Sequence, residues 1–167
     1  MAEAKQHANV ESNDDDGLLF GLIDSAVAYA EHYTGQKFMT QTWTAYFDGL
    51  SSVIELPFYP IQSVVVKYIN GTEQTLSTDD YRLDDKNNPG VVEIINMPDV
   101  DDGYNTAWVE VVCGTDNQAQ ISGAIKSAVL MLVAHMFENR EASTIPQAHE
   151  LPLGVSAFLD TEKVSFI

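Results

Sequence analysis

The chain is short of most residues on which function is usually read. It has one cysteine, Cys113, so no internal disulfide can form and an oxidising compartment is not indicated. Basic residues are scarce, with 8 Lys and Arg against 25 Asp and Glu, a formal charge of −17. That excludes ordinary nucleic-acid binding, which neutralises phosphates with Lys and Arg, and it excludes attraction to anionic membranes. The plain reading of such charge is solubility; a wall past which DNA slides without sticking is the functional one. No long apolar run is present. The most apolar stretch, around 121–137, is interrupted by Ser122, Gly123, Lys126, Ser127 and His135 and is short for a bilayer. Met1 to Asn9 is polar and helix-prone, unlike a signal sequence.

Chemical signatures are equally thin. No H-E-x-x-H, P-loop, G-x-S-x-G or G-x-G-x-x-G occurs. His7, His32, His135 and His149 do not pair at a spacing that puts two imidazoles on one helix face. Asp14-Asp15-Asp16-Gly17 fails as a calcium loop, because Ser12 falls at position one and Ile23 where a bidentate Glu is needed. Asp99, Asp101 and Asp102 before Gly103 fail in the same way, with Pro98 at position one. An enzyme reading therefore has no named residue behind it, and no cofactor is expected. Asn70-Gly71-Thr72 matches a glycosylation sequon, but a hairpin turn explains it better.

What is present is a core. Apolar residues make up 45% of 167, enough for one globular domain. Ala2 to Ala8 reads as a short first helix. Leu19, Ile23, Ala26, Ala30 and Tyr33 recur at helical spacing, with acidic residues before them and Gly35 after as a cap. The middle is β-rich: 41–48, with Trp43, Ala45 and Phe47 alternating against Thr42, Thr44 and Tyr46, then 53–56, 62–69, 73–76, 81–83, 91–95 and 108–113. These segments predict one small, mostly antiparallel sheet, with a tight turn at Asn70-Gly71 and an exposed loop over 96–105. Ile121, Ala124, Ile125, Ala128, Val129, Leu132 and Met136 form a second helical stripe. Leu130, Met131, Val133 and Phe137 make that helix apolar nearly all round, which favours a subunit interface on those four residues. A short last helix is expected over 153–159, and the chain ends on an apolar extended segment with Val164, Phe166 and Ile167.

Three short signatures stand in this frame. They are Tyr33-Thr34-Gly35 with Gln41-Thr42-Trp43, Phe137-Glu138-Asn139-Arg140-Glu141, and Leu151-Pro152-Leu153-Gly154-Val155. Ile54-Glu55-Leu56-Pro57, Pro60-Ile61-Gln62-Ser63-Val64 and Tyr81-Arg82-Leu83-Asp84 lie between them. In this order the series resembles the head–tail connector (adaptor, or head-completion) proteins of tailed bacteriophages, over most of the chain. One departure is Gln36-Lys37, where the family often has Arg after Tyr-Thr-Gly.

The resemblance implies an α+β fold. Two long helices would form a helical body (1–38 and 118–158), with a β-rich insert (39–117) in a single domain over 1–158. A C-terminal arm over 159–167, with Leu159, Val164, Phe166 and Ile167, would dock on the portal protein. It also implies a structural virion protein without catalytic activity, located at the neck and assembled in the host cytoplasm. Copies would form a closed ring of about twelve. Its partners would be the portal and the next neck or tail protein, a stopper or tail terminator; DNA would pass through without specific binding, and no membrane is involved. The alternative reading is a small acidic binding or regulatory module, calcium-dependent in one version.

Overall fold

The computed structural model describes residues 1–86, 89–139 and 153–164. Among them are four α-helices, one 3-10 turn and seven strands in an α+β arrangement. The chain divides into two compact units: Met1–Thr34 with Ala119–Lys163, and Gly35–Gln118.

The first unit is helical, with α1 (Ala2–His7), α2 (Asp16–Thr34), α3 (Gly123–Glu138) and α4 (Leu153–Asp160). Lys5 ties α1 to the start of α2 by donating to Asn13 at 2.6 Å and Asp16 at 2.7 Å. Helix α2 buries Leu19, Ala26 and Ala30, three members of the stripe read from sequence, and ends where Gly35 takes φ +73°. Ser122 caps α3 by accepting from the Ala124 N–H at 3.1 Å. Ile125, Ala128, Leu132 and Val133 are buried on α3, and Val155 and Leu159 on α4.

The second unit is built from β1 (Gln41–Phe47), β2 (Val53–Leu56), β3 (Ile61–Asn70), β4 (Thr72–Thr75), β5 (Tyr81–Asp84), β6 (Gly90–Ile94) and β7 (Ala107–Cys113). The expected single sheet is in fact two, ordered β1-β7-β3-β4 and β2-β6-β5, with every strand pair antiparallel. Between them lies one core of Ile54, Leu56, Val64, Val66, Val92, Val109 and Val111 with their neighbours. The division has a physical cause: strands whose apolar residues all point one way leave a sheet with one unburied face, and a second sheet covers it. Tyr81 links the sheets by donating its hydroxyl to the Val64 carbonyl at 2.9 Å, and burial holds its pKa above the ordinary value.

Two glycines are required by the backbone. Gly71 reverses the β3–β4 hairpin at φ +67°, while Asn70 remains paired with Thr72, so only one of the two expected turn residues takes positive φ. Gly114 sits at φ +93°, where a Cβ would collide with the Met39 carbonyl, beside the parallel bridge Met39–Thr115.

Candidate assembly surfaces

The residues offered from sequence as docking groups are placed unevenly. On α3, Val133 is only 1% exposed, so it is core of its own unit and not available to a neighbouring subunit. Met131 is half-buried and lies against α4, where a Cβ on Gly154 would sit 2.8 Å from its Cε. Leu130 is half-buried in a shallow recess with Glu3, Gln6 and His7 of α1, and Phe137 is half-buried. The apolar surplus of α3 is therefore covered largely by α1 and α4 of the same chain. Sequence reading missed this because periodicity shows that a face must be buried, not by what.

The expected arm also needs correction at its start. Leu159 is fully buried and belongs to α4, so nothing at 159 is free to dock. The residues after it are fastened too. The Tyr33 hydroxyl donates to Asp160 at 2.7 Å, and the Lys163 ammonium lies 5.4 Å from the Tyr33 ring centre. The Ser122 hydroxyl donates to Glu162 at 2.6 Å, and that of Thr161 to the Phe158 carbonyl at 2.7 Å. The hydrogen bond to Asp160, with smaller contributions from burial and the Asp160 charge, raises the Tyr33 pKa. Val164 is half-buried. Phe166 and Ile167 lie outside the described residues.

The β unit presents two contrasting surfaces. At one end, the turns leaving β1, β3 and β4 and the loop entering β7 come together. Gly71 N–H donates to Asp101 at 2.8 Å, Asn105 N–H to Asp48 at 3.1 Å, and the Asn96 side-chain amide to Asp80 at 2.8 Å. These turns and the strand start beside them carry Asp48, Glu73, Asp79, Asp80, Asp99, Asp101 and Asp102, and segments 48–52, 70–80 and 95–106 contain no Lys or Arg. Tyr104 is 88% exposed in the same loop.

The other surface is the outer face of the four-stranded sheet. Register sets its rows as Thr42–Val112–Ser63, Thr44–Glu110–Val65 and Tyr46–Trp108–Lys67. The Tyr46 and Trp108 rings lie 6.1 Å apart. Lys67 bridges Glu110 at 2.8 Å and Glu73 at 3.5 Å. The Lys67 hydrogen bond is the largest cause holding the Glu110 pKa down, with a Trp108 side-chain hydrogen bond adding to it, and Glu110 in turn raises that of Lys67. The alternation of 41–48 is legible here: Trp43, Ala45 and Phe47 pair with the buried Val111, Val109 and Ala107, and Thr42, Thr44 and Tyr46 point outward.

Among the described residues, no group of three or more His, Cys, Asp or Glu is placed to hold a metal ion, and no helix is long and apolar enough to cross a membrane. Cys113 is buried at the end of β7.

Residues 1–97 match the family model of the Phage gp6-like head-tail connector proteins. The chain belongs to that family. The matched region runs from α1 through β6 and so includes both the Tyr-Thr-Gly and the Gln-Thr-Trp signatures. The connector is similar in fold to a chain in the neck of an empty gene transfer agent particle computed with C6 symmetry, at TM-score 0.82 and 18% identity, covering 99% of this chain and 89% of that one. A chain in the virion of the native gene transfer agent gives 0.80 and 17%, covering 99% and 89%. One in the native neck computed with C12 symmetry gives 0.72 and 18%, covering 90% and 84%. No curated protein sequence matches the chain. Family membership makes the connector a structural component of the virion neck and replaces the alternative reading as an acidic binding module.

Proposed function

We propose that the connector assembles as a closed ring of about twelve copies beneath the portal, joins head to tail there, and lets the genome pass through its centre. The observation that carries this reading is the family match over 1–97, together with a fold like that of chains in necks of C6 and C12 symmetry. The charge suits the role: about twelve copies at −17 each sum to roughly −200, and a lumen lined by part of that charge repels a duplex. The partners in this reading are the portal on one side and a stopper or tail terminator on the other, with no enzymatic step.

The portal-docking arm is the segment after Lys163, carrying Val164, Phe166 and Ile167. Its proposed start moves from 159 to 164 because the intervening residues are fastened to α2 and α3. Deleting 164–167 abolishes portal binding while leaving the circular dichroism spectrum unchanged; retained binding overturns the arm assignment. For the role as a whole, antibody-gold labelling of particles by electron microscopy puts label at the head–tail junction. Particles free of the chain would defeat the connector reading.

A further inference from the structure

We propose that the outer face of the four-stranded sheet is the surface on which a second copy of the chain docks. The proposal rests on the ring reading above and says which part of each subunit makes the contact.

The first argument is charge. Two copies each at −17 repel, so they meet where like charge is least. The loop end of the β unit holds only carboxylates and is unfit for self-association. On the sheet face, by contrast, Lys67 is closed by Glu110 and Glu73, so the acids that flank it are largely answered from within the face. The same bridges leave Lys67 committed, which makes the face a poor phosphate binder and sets DNA aside as occupant.

The second argument is the chemistry of the surface. Tyr46 is 60% exposed and Val65 37%, and Trp108 is half-buried beside Tyr46. Aromatic side chains dominate the energetics of protein interfaces, Trp and Tyr above all. The Trp108 side-chain hydrogen bond to Glu110, itself held by Lys67, fixes the ring before any partner arrives, so less rotamer freedom is lost on docking. The inner face of the same strands is wholly consumed by the core. Tyr46, Val65 and Trp108 are not used there.

The test replaces Tyr46 with a photoreactive phenylalanine in the full chain, expressed in producing cells, with the same replacement at Tyr104 for comparison. The expected result is a cross-linked product of two copies of the chain from position 46 in purified particles. In parallel, Tyr46→Glu with Val65→Glu lowers incorporation into particles about tenfold, with the circular dichroism spectrum retained, and Asp101→Asn leaves it unchanged. A cross-link from 46 to a different protein, no cross-link from 46, or a folded double variant incorporated at the normal level each overturns the face assignment. If the double variant does not fold, the cross-link alone decides. Absence of the unmodified chain from particles is a different failure, that of the ring reading itself.

Discussion

The helical and the β unit bury their apolar residues by different means, and the contrast shows where each is vulnerable. In the β unit, Val92, Val109, Val111 and Val66 are fully buried between two sheets whose register is fixed strand by strand. Stiff branched side chains on a pleated backbone leave little room for adjustment. In the helical unit, α2 offers mostly small residues, Ala26 and Ala30, to its core, and a glycine on α4 receives the flexible Met131. Much of the specificity there comes from side-chain fastenings at helix ends: Lys5 to Asp16, Tyr33 to Asp160 and Ser122 to Glu162. One unit is set by backbone pairing, the other by contacts made one side chain at a time.

The harshest way to break the comparison is a charge in the β core. Val109→Asp places a carboxylate between the sheets with no cation beside it, and costs about 4 kcal/mol or more. Denaturant unfolding followed by near-ultraviolet circular dichroism checks it; a loss under 1 kcal/mol would mean the two sheets are loosely joined. Leu159→Ala opens a cavity under α4 and costs about 3 kcal/mol, read as lost hydrogen-exchange protection across α4. A free arm beginning at 159 would show almost no change.

Gly114→Ala tests the backbone side of the contrast. The new Cβ meets a carbonyl and not a flexible side chain, so it costs about 2 kcal/mol. Gly154→Ala, whose obstacle is the end of Met131, costs about 1 kcal/mol or less. Thermal unfolding of both variants ranks them, and the reverse order would contradict the distinction drawn between the units.

The smallest effects are in pH dependence. Tyr33 has its pKa raised above the ordinary value of 10.0 by the Asp160 contact. Its stabilising contribution is therefore complete below pH 10 and is lost as pH rises through the folded value. Tyr33→Phe removes that alkaline loss, visible as a flatter stability curve above pH 10. Glu110 is shifted the other way, so its contribution is present above the ordinary carboxylate range and fades on acidification through its lowered pKa. Glu110→Gln flattens the acid limb, measured by urea unfolding between pH 3 and 7.

Much of the local structure could be read in advance, for reasons visible in particular residues. The β2 limits at Val53 and Leu56 follow from the prolines after them, and α2 is bounded by acids and by Gly35. Less of the assembly surface could be read. Phe137, Met131, Leu130 and Val133 look alike in a helical stripe, yet Val133 is core and Met131 is half-covered by α4. Leu159 looks like the first residue of an apolar tail and is fully buried. Tyr46 drew attention only as the polar side of an alternation, although it carries the more exposed ring of the sheet face.

The sequence by itself determined the periodicities, the caps and turns, the acidic balance and the ordered signatures of the connector family, because each depends on residues close together in the chain. Only the tertiary structure decided that the strands close as two sheets, that α1 and α4 cover α3, and that acids from three separate turns gather at one end while Lys67 is neutralised on the sheet face. Those outcomes depend on which distant segments meet, and burial free energy fixes the amount of apolar surface to be covered without naming its partner.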